Sequence, residues 1–555
     1  MMNRKALCAL MVAAAGFAIA AVVAQAQNSD GRSDEIALTA DAQAQGTPLV
    51  HFWSKVVGAG RANEGLRATW QEELSMGVKD AGFQYVRFHG IFHDDMFIYR
   101  EDAHGNPVYN FQYVDDLFDR MLANGARPFV ELSFVPKELA NVTGTTFWWM
   151  ANGSPPKDYN KWAGLVKAFT EHCVARYGID EVRQWYFEVW NEPNLHGFFA
   201  GTQQQYFELY KLTAQTIKAV DPKLRVGGPA TSNFDLDQDA VKQAQASGKP
   251  FDPMSIPWKP IWIDDFMRYC HENNLPVDFV STHPYPQDFA LDVPGQPRGR
   301  NLRRSIDATR DDLRMLRKII DASLYPKAEI QLTEWNSSPS PTDHSHDALA
   351  AAAFVAKTNL ESIGLVDSLS YWVFTDVFEE NRLTDSIFHG GFGLINYQEI
   401  PKPAFHAYRM MNQLGDTTIA QTVGALVSRD SRTGRVSAVA YNYPKEMKVS
   451  LPLTDTVEDA DKIDASGSPR EFVLTLTHLK PNAAFEIETL DREHGDAVAA
   501  WEQMGRPEPP TREQTELLRK LSWGTKKELV RAGADGRLEI RRSLPAWAVV
   551  LVREM

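Results

Sequence analysis

The fold is decided by residues 187–194, which read FEVWNEPN, and by residues 330–336, which read IQLTEWN. In each stretch an apolar, β-rich run stops at polar and aromatic side chains that include a glutamate, Glu192 in the first and Glu334 in the second. The reactive residues of a (β/α)₈ barrel sit at the carboxyl ends of its parallel strands. These two stretches therefore predict strand ends at the mouth of such a barrel.

The surrounding chain alternates short β-rich runs with amphipathic helical patterns from about His51 to Met411. Eight runs are predicted as strands: 52–58, 85–89, 127–134, 184–190, 224–228, 277–283, 329–335 and 369–374. Amphipathic segments between them are predicted as helices: 111–124, 160–177, 206–220, 261–273, 306–320 and 347–363. Such alternation is typical of a parallel sheet with helical crossovers, so residues 48–414 are predicted to form a (β/α)₈ TIM barrel.

The pattern changes after residue 414. Short β-rich runs at 425–427, 436–441, 448–453, 472–477, 485–489 and 548–552 are separated by turn signals, which predicts an antiparallel β-sandwich domain over residues 415–555. Residues 493–530 interrupt it with a Pro-rich turn and a charged helix. Residues 27–47 are polar and unpatterned, which predicts either a linker or an extra strand of the sandwich.

The first 26 residues have the pattern of a secretory signal peptide. Arg4 and Lys5 precede an Ala-rich apolar run, and Ala24 and Ala26 place small residues where a signal peptidase reads them. The pattern predicts cleavage after residue 26 and a secreted or periplasmic protein. An uncleaved membrane anchor is the alternative, although much of the run is weakly hydrophobic Ala.

Composition excludes several classes of function. The chain has 58 basic and 72 acidic residues, a net charge of −14, which disfavours nucleic acid and anionic membranes as partners. No Cys/His cluster has the spacing of zinc ligands and no glycine loop resembles a phosphate cradle, so neither metal nor cofactor is expected. Only Cys173 and Cys270 remain after the predicted cleavage, and the sequence does not show whether they pair. Side chains alone are expected to act on a neutral substrate.

Glu192 and Glu334 fit one particular chemistry. Hydrolysis of a glycoside uses two carboxyl groups that flank the bond, one to protonate the leaving oxygen and one to attack the anomeric carbon. Glutamates at the ends of the fourth and seventh strands can supply that pair from two sides of the barrel mouth. For a retaining enzyme we predict carboxyl groups about 5 to 5.5 Å apart. A surface ion pair at each strand end is the alternative.

Several motifs together resemble glycoside hydrolase family 39, the family of β-xylosidases and α-L-iduronidase. Residues 190–195 (WNEPNL) and 333–338 (TEWNSS) resemble its two signatures, and the likeness extends to 86–90 (VRFHG), 282–285 (THPY), 371–380 (YWVFTDVFEE) and 501–505 (WEQMG). The resemblance implies a retaining, exo-acting β-xylosidase that releases xylose from xylo-oligosaccharides. Another exo- or endo-glycosidase of the same clan, for galactosyl, glucosyl or arabinosyl substrates, and a noncatalytic carbohydrate-binding protein are the alternatives.

The resemblance also implies roles for individual residues. Glu192 matches the acid/base, Glu334 the nucleophile and Asn191 the donor to the sugar 2-hydroxyl, while the Tyr285 hydroxyl is expected to contact the nucleophile. Further positions match residues that bind the sugar or shape the pocket wall: His89, Phe198, His283, Trp372, Glu379 and Glu380. Structural histidines, packed core aromatics and a solvated acidic loop are the alternatives for these. Residues 234–260 do not align with the family pattern, so the sequence leaves the exact sugar open, as it does the oligomeric state.

Overall fold

The computed structural model describes residues 34–142, 144–247, 256–287, 303–380 and 386–555. The predicted signal peptide, residues 1–26, lies outside the described residues. Among the helices of these ranges, none combines the length and the apolar composition that a membrane crossing requires.

Eight parallel strands form a closed barrel, which confirms the predicted (β/α)₈ fold. We label them in chain order: β1 (Val56–Arg61), β2 (Tyr85–His89), β3 (Arg127–Leu132), β4 (Tyr186–Val189), β5 (Arg225–Ser232), β6 (Phe279–His283), β7 (Glu329–Trp335) and β8 (Ser368–Tyr371). Each strand pairs with the next along the chain, and β8 closes the barrel by pairing with β1 through Tyr371 and Val57.

Large side chains fill the barrel at the end where most strands begin. Val56, Tyr85, Phe129, Tyr186 and Phe279 form one buried cluster there, and the rings of Phe129 and Tyr186 stack with centroids 4.8 Å apart. Because these residues lie at or near the start of β1 to β4 and β6, they close the amino-terminal end of the barrel. Any cavity for a substrate is thereby left to the opposite, carboxyl-terminal end.

A helix follows each barrel strand: Ala68–Met76, Gln112–Ala123, Tyr159–Tyr177, Gln203–Val220, Ile263–Glu272, Ala308–Asp321, Leu349–Glu361 and Pro403–Met411. The helix Gln203–Val220 shows why they form, since Thr202 caps its first turn and Tyr206, Tyr210 and Ile217 lie on its buried face. Leu349–Glu361 is buried on almost every side because the second domain covers its outer face. Asp464 of that domain accepts hydrogen bonds from the first backbone N–H groups of this helix.

Two sheets pack face to face in the second domain, as predicted for a β-sandwich, around a core that includes Val427, Phe472 and Phe485. The larger sheet contains Thr47–Pro48, Thr417–Thr422, Ala425–Arg429, Val436–Tyr441, Val549–Glu554, Ala484–Leu490 and Lys526–Arg531, all antiparallel. The smaller sheet contains Glu35–Asp41, Arg470–Thr477 and Leu538–Leu544. Its first strand, from the stretch predicted as linker or extra strand, pairs in parallel with Arg470–Thr477.

The predicted strand at 448–453 is wrong. This segment makes one isolated bridge, between Val449 and Ser305, and its carbonyl groups are used by the barrel instead of a neighbouring strand. The Gln287 side chain donates to the Leu451 carbonyl and the Arg303 guanidinium to that of Ser450. The segment therefore fastens the second domain to the loop after β6.

The remaining elements lie at the rim of the barrel or between the domains. Strand pairs form between Tyr99–Glu101 and Pro107–Tyr109, between Thr145–Thr146 and Ala151–Asn152, and between Phe234–Leu236 and Trp258–Pro260. α-Helices outside the barrel repeat are Ile179–Val182, Gln238–Ala246, Val457–Asp464, Ala497–Gln503 and Arg512–Ser522. The last two occupy the stretch that was predicted to contain a charged helix.

Cys173 and Cys270 are buried on two different barrel helices and form no disulfide with each other. Burial raises the pKa of both thiols, which keeps them protonated. They act as small apolar side chains of the core.

Candidate active site

A cavity of about 500 Å³ lies at the carboxyl ends of the barrel strands. Eight of the ten residues that the sequence singled out line it: His89, Asn191, Glu192, Phe198, Tyr285, Glu334, Trp372 and Glu380. His283 and Glu379 are not among the lining residues. Phe147, from the strand pair after β3, adds an aromatic wall that the sequence did not indicate.

Glu192 and Glu334 face each other in this cavity. One carboxylate oxygen of each lies within 4.8 Å of the other, and both side chains are almost completely buried. Retaining glycosidases have carboxyl groups about 5 to 5.5 Å apart, whereas inverting enzymes leave about 6.5 to 9.5 Å for a water molecule. An approach of one oxygen from each carboxylate to within 4.8 Å fits the closer, retaining arrangement.

The segment after β4 turns sharply to present Glu192. Trp190 and Glu192 adopt left-handed backbone conformations, with φ of 75° and 46°, which are costly for residues with a side chain. The Glu192 N–H donates to the Ala230 carbonyl at 2.8 Å, and the Asn194 amide bridges the backbone of Ser232. Contacts with β5 thus hold the strained turn in place.

The guanidinium of Arg87, on β2, lies at the centre of a buried charge network. It is 2.8 Å from Glu131 and from Glu188, and it also donates to Glu334. A further hydrogen bond, of 2.8 Å, runs to the side-chain oxygen of Asn191. The planar guanidinium thus donates hydrogen bonds to Glu188, Glu334 and Asn191 at once and also forms an ion pair with Glu131, which suits its rigid fork of donors.

Glu334 is surrounded by donors. Arg87 contacts one of its oxygens, and the Tyr285 hydroxyl donates to the other at 3.3 Å. Burial raises the pKa of Glu334 above its ordinary value, and the charge of Arg87 opposes that rise. Both contacts stabilise the carboxylate form, which is the form that can attack a carbon atom.

Glu192 has a different environment. Its Oε1 lies 2.9 Å from Nδ1 of His283, whose other nitrogen lies 2.9 Å from the Thr333 hydroxyl. Burial raises the pKa of Glu192 to about 7, and burial lowers that of His283 to about 4. Near neutral pH, therefore, the histidine carries no charge and Glu192 retains a proton on a substantial fraction of molecules.

His89, at the end of β2, is the charged counterpart of His283. Its Nδ1 lies 2.6 Å from Glu131 and its Nε2 lies 3.2 Å from Glu380. Burial disfavours the charged ring, but the adjacent Glu131 raises the pKa of His89 to about 10. The ring also packs against Trp372, with centroids 4.8 Å apart. His89 and Glu380 together offer charged hydrogen-bonding groups to the cavity.

Glu379 and Glu380 are adjacent in sequence but have separate surroundings. Glu380 lines the cavity, whereas Glu379 forms ion pairs of 2.6 Å with Arg61 and with Arg67. Burial acts to raise the pKa of Glu379, but these arginines lower it overall. The predicted role of Glu379 in sugar binding stays a prediction.

Glu192, His283 and Glu334 are also the one group, among the residues that the structure describes, whose donor atoms are close enough for a shared metal ion. Two of the three already have partners outside the group: His283 contacts Thr333, and Glu334 accepts from the cationic Arg87. A cation in contact with Glu334 would lie beside that guanidinium charge. The arrangement therefore suits proton transfer better than metal binding.

The sequence analysis did not identify four buried residues that contact or position the groups of the active site: Arg87, Glu131, Glu188 and Thr333. The pattern did contain an indication of a buried ion pair, because Glu131 and Glu188 each interrupt an otherwise apolar strand, and a buried carboxylate needs a partner. The partner itself is not readable from the pattern, since Arg87 is far away in the chain.

Comparisons with known proteins agree with this geometry. The family model "Glycosyl hydrolases family 39" matches residues 36–539. The chain is 36% identical to a β-xylosidase of Geobacillus stearothermophilus over 84% of this chain and 85% of that protein. It is 36% identical to a β-xylosidase of Caldicellulosiruptor saccharolyticus over 88% and 92%. The structure of the GH39 enzyme from Xanthomonas axonopodis pv. citri superposes with a TM-score of 0.80 at 33% identity, covering 96% of this chain and 99% of that one.

The family predicted from the two signature motifs is thus confirmed, and with it a small β-glycoside as the class of substrate. The retaining spacing of Glu192 and Glu334 is consistent with that assignment. The chain belongs to glycosyl hydrolases family 39 and is a glycoside hydrolase.

Proposed function

We propose that this protein is an exo-acting β-xylosidase in which Glu334 is the nucleophile and Glu192 the acid/base. The observation that carries the proposal is the pair of carboxyl groups within 4.8 Å of each other in unlike surroundings. Glu334 accepts hydrogen bonds from Arg87 and Tyr285, and burial raises the pKa of Glu192 to about 7. The names of the two similar proteins support xylose as the sugar.

The geometry supports a double displacement. The Glu334 carboxylate attacks the anomeric carbon while the Glu192 carboxyl gives its proton to the departing oxygen, which leaves a glycosyl–Glu334 ester. The Glu192 carboxylate then takes a proton from a water molecule, and the resulting hydroxide displaces Glu334. Two inversions release xylose with its β-configuration retained.

The residues around the pair are proposed to bind the sugar. Asn191 lines the cavity, and its side-chain oxygen is occupied by Arg87, which orients its amide group. His89 and Glu380 are proposed to bind hydroxyl groups at a second position. Trp372 and Phe198 supply apolar surface for the face of the ring.

A panel of aryl β-xyloside, β-glucoside, β-galactoside and α-L-arabinoside tests the proposal. We expect the aryl β-xyloside to have the highest kcat/KM, and Glu192→Gln to lower that of substrates with poor leaving groups. Glu171→Gln, on an exposed helix face, serves as the control and is expected to match the wild type. Cleavage of the β-glucoside without cleavage of the β-xyloside would contradict the proposal.

Export is proposed on the sequence of residues 1–26 alone, with Arg4 and Lys5 ahead of an apolar run. We expect the protein recovered from outside the cytoplasm to begin at or near Gln27. Mass spectrometry of its amino-terminal peptide checks this, and an intact leader on the exported protein would contradict it.

A further inference from the structure

A chain of hydrogen bonds leads from Glu192 into the barrel wall, away from the cavity. Glu192 Oε1 is 2.9 Å from His283 Nδ1, and His283 Nε2 is 2.9 Å from Thr333 Oγ1. The Thr333 hydroxyl in turn donates to Glu188 Oε1 at 2.8 Å. His283, Thr333 and Glu188 are each completely buried, so water does not compete for these contacts.

The direction of each hydrogen bond follows from the partners. The other oxygen of Glu188 accepts from Arg87 at 2.8 Å, so in this ion pair both oxygens of the Glu188 carboxylate act as acceptors. The Thr333 hydroxyl has one hydrogen, which goes to Glu188. Its contact with His283 must therefore be one in which Thr333 accepts and His283 Nε2 carries the hydrogen.

A neutral imidazole with its hydrogen on Nε2 has a bare lone pair on Nδ1. That lone pair faces Glu192 Oε1, and two acceptors 2.9 Å apart repel unless one of them carries a proton. We propose that Thr333 and Glu188 are positioning residues: they fix the tautomer of His283, and His283 then holds the catalytic proton on Glu192. This inference rests on the proposed role of Glu192 as the acid/base. It adds the buried residues that keep the Glu192 carboxyl group protonated.

The surrounding charges fit this arrangement. Burial lowers the pKa of His283 to about 4, which leaves the ring neutral in the working range. Glu334 lies 3.7 Å from its Nδ1, and Arg87, Glu131 and Glu188 are the other charged groups that act on the ring. In the second step the same lone pair faces an ionised Glu192, which makes that carboxylate a stronger base toward water.

Thr333→Val tests the inference because valine has the same shape but neither donates nor accepts. His283 then has no acceptor for Nε2–H and is expected to move its hydrogen to Nδ1, where it stabilises the Glu192 carboxylate. The alkaline limb of the kcat/KM profile should move from near pH 7 downward by about 1 unit, and aryl xylosides with poor leaving groups should lose most rate. Thr333→Ser restores the hydroxyl and is expected to restore the wild-type limb.

Thr170→Val is the matched control, since Thr170 is equally buried but donates to a carbonyl of its own helix, outside the site. The inference would be overturned if the alkaline limb of the kcat/KM profile lay at the same pH in Thr333→Val as in the wild type. It would also be overturned if Thr333→Val and Thr333→Ser shifted that limb equally. If Thr333→Val does not fold, ¹⁵N NMR of histidine-labelled wild type, with His283→Gln for assignment, reads the tautomer directly. A hydrogen on Nδ1 of His283 would refute the proposal, and a hydrogen on Nε2 supports it.

The two proposals fail separately. A wild-type protein without activity on aryl β-xyloside sinks the proposed sugar specificity. The pH profile can then be measured on whichever aryl β-glycoside the wild type cleaves, and the shift expected for Thr333→Val is the same.

Discussion

The cavity has two sides that use the same residue types in opposite ways. The charged side consists of His89 and Glu334, with Arg87 and Glu131 buried behind them, and there Glu131 raises the pKa of His89 to about 10 against the effect of burial. The neutral side consists of Glu192, with His283 and Thr333 buried behind it, and there burial lowers the pKa of His283 to about 4. Both rings are buried, so burial alone does not decide their charge. The partners decide it: the Glu131 carboxylate holds a proton on His89, whereas His283 lies between the Thr333 hydroxyl and Glu192, a carboxyl group that itself tends to keep a proton.

This difference separates two otherwise equivalent glutamates. Glu334 lies on the charged side, where a guanidinium and a phenol stabilise its ionised form, and Glu192 lies on the neutral side, where a proton is retained. Pairs of carboxyl groups with unlike environments are how enzymes obtain a nucleophile and an acid at the same pH. The predictions below alter one side at a time.

The largest effect is expected when the nucleophile on the charged side is removed. Glu334→Gln should lower kcat/KM for aryl β-xylosides by about 10⁴-fold or more, whatever the leaving group, because no glycosyl–enzyme ester can form. The measurement is the rate with dinitrophenyl and with unactivated aryl xylosides. Glu329→Gln, at the opposite end of the same strand and paired with Lys55, is the control and should retain activity. Retained turnover of the dinitrophenyl substrate by Glu334→Gln would count against the assignment.

A smaller but still large effect is expected on stability. Arg87→Met leaves Glu131, Glu188 and Glu334 without their shared cation, and breaking a buried ion pair costs about 3 to 5 kcal/mol in the free energy of unfolding. Arg304→Met is the matched comparison, since Arg304 is also buried but pairs with the single carboxylate of Asp312. Urea unfolding should show the larger loss for Arg87→Met. Equal losses would mean that the network is not cooperative.

The smallest of these effects concerns Tyr285. Its hydroxyl donates to Glu334 over 3.3 Å, a long hydrogen bond to a charged group, so Tyr285→Phe should lower kcat by about 10-fold with little change in folding. Tyr210→Phe removes another buried hydroxyl, one that donates to the Pro276 carbonyl outside the cavity. Steady-state kinetics of both variants check this. An equal loss of kcat in both would show that removing any buried hydroxyl lowers the rate and that the contact of Tyr285 with Glu334 has no special role.

Much of this molecule is predictable from its sequence because it depends on local patterns. The bounds of β2 and β7 agree with the runs at 85–89 and 329–335, since both are apolar segments bounded by polar residues. The run at 52–58 was less accurate, because Phe52–Ser54 forms a short 3₁₀ helix before β1 begins at Val56. The charged edge strand Lys526–Arg531 was not predicted, since its stability comes from pairing with Ala484–Leu490.

The active site, too, is predictable only in part. Glu192 and Glu334 stand out in the sequence because they end apolar runs, and family resemblance then supplies roles for them. The sequence does not reveal the roles of Arg87, Thr333 and Glu188, because these depend on which side chains from β2, β4 and β7 meet inside the closed barrel. The charge of His89 and the neutrality of His283 likewise depend on partners from other strands.

Azide rescue of Glu192→Ala tests the division between the two sides most directly. Without an acid/base, a dinitrophenyl β-xyloside still forms the ester with Glu334, but its hydrolysis slows because water has lost its base. Azide needs no base, so it should restore turnover and give β-xylosyl azide, the product of two inversions. Absence of rescue, or an α-configured azide, would contradict the assignment of Glu192 as the proton-holding group and Glu334 as the nucleophile.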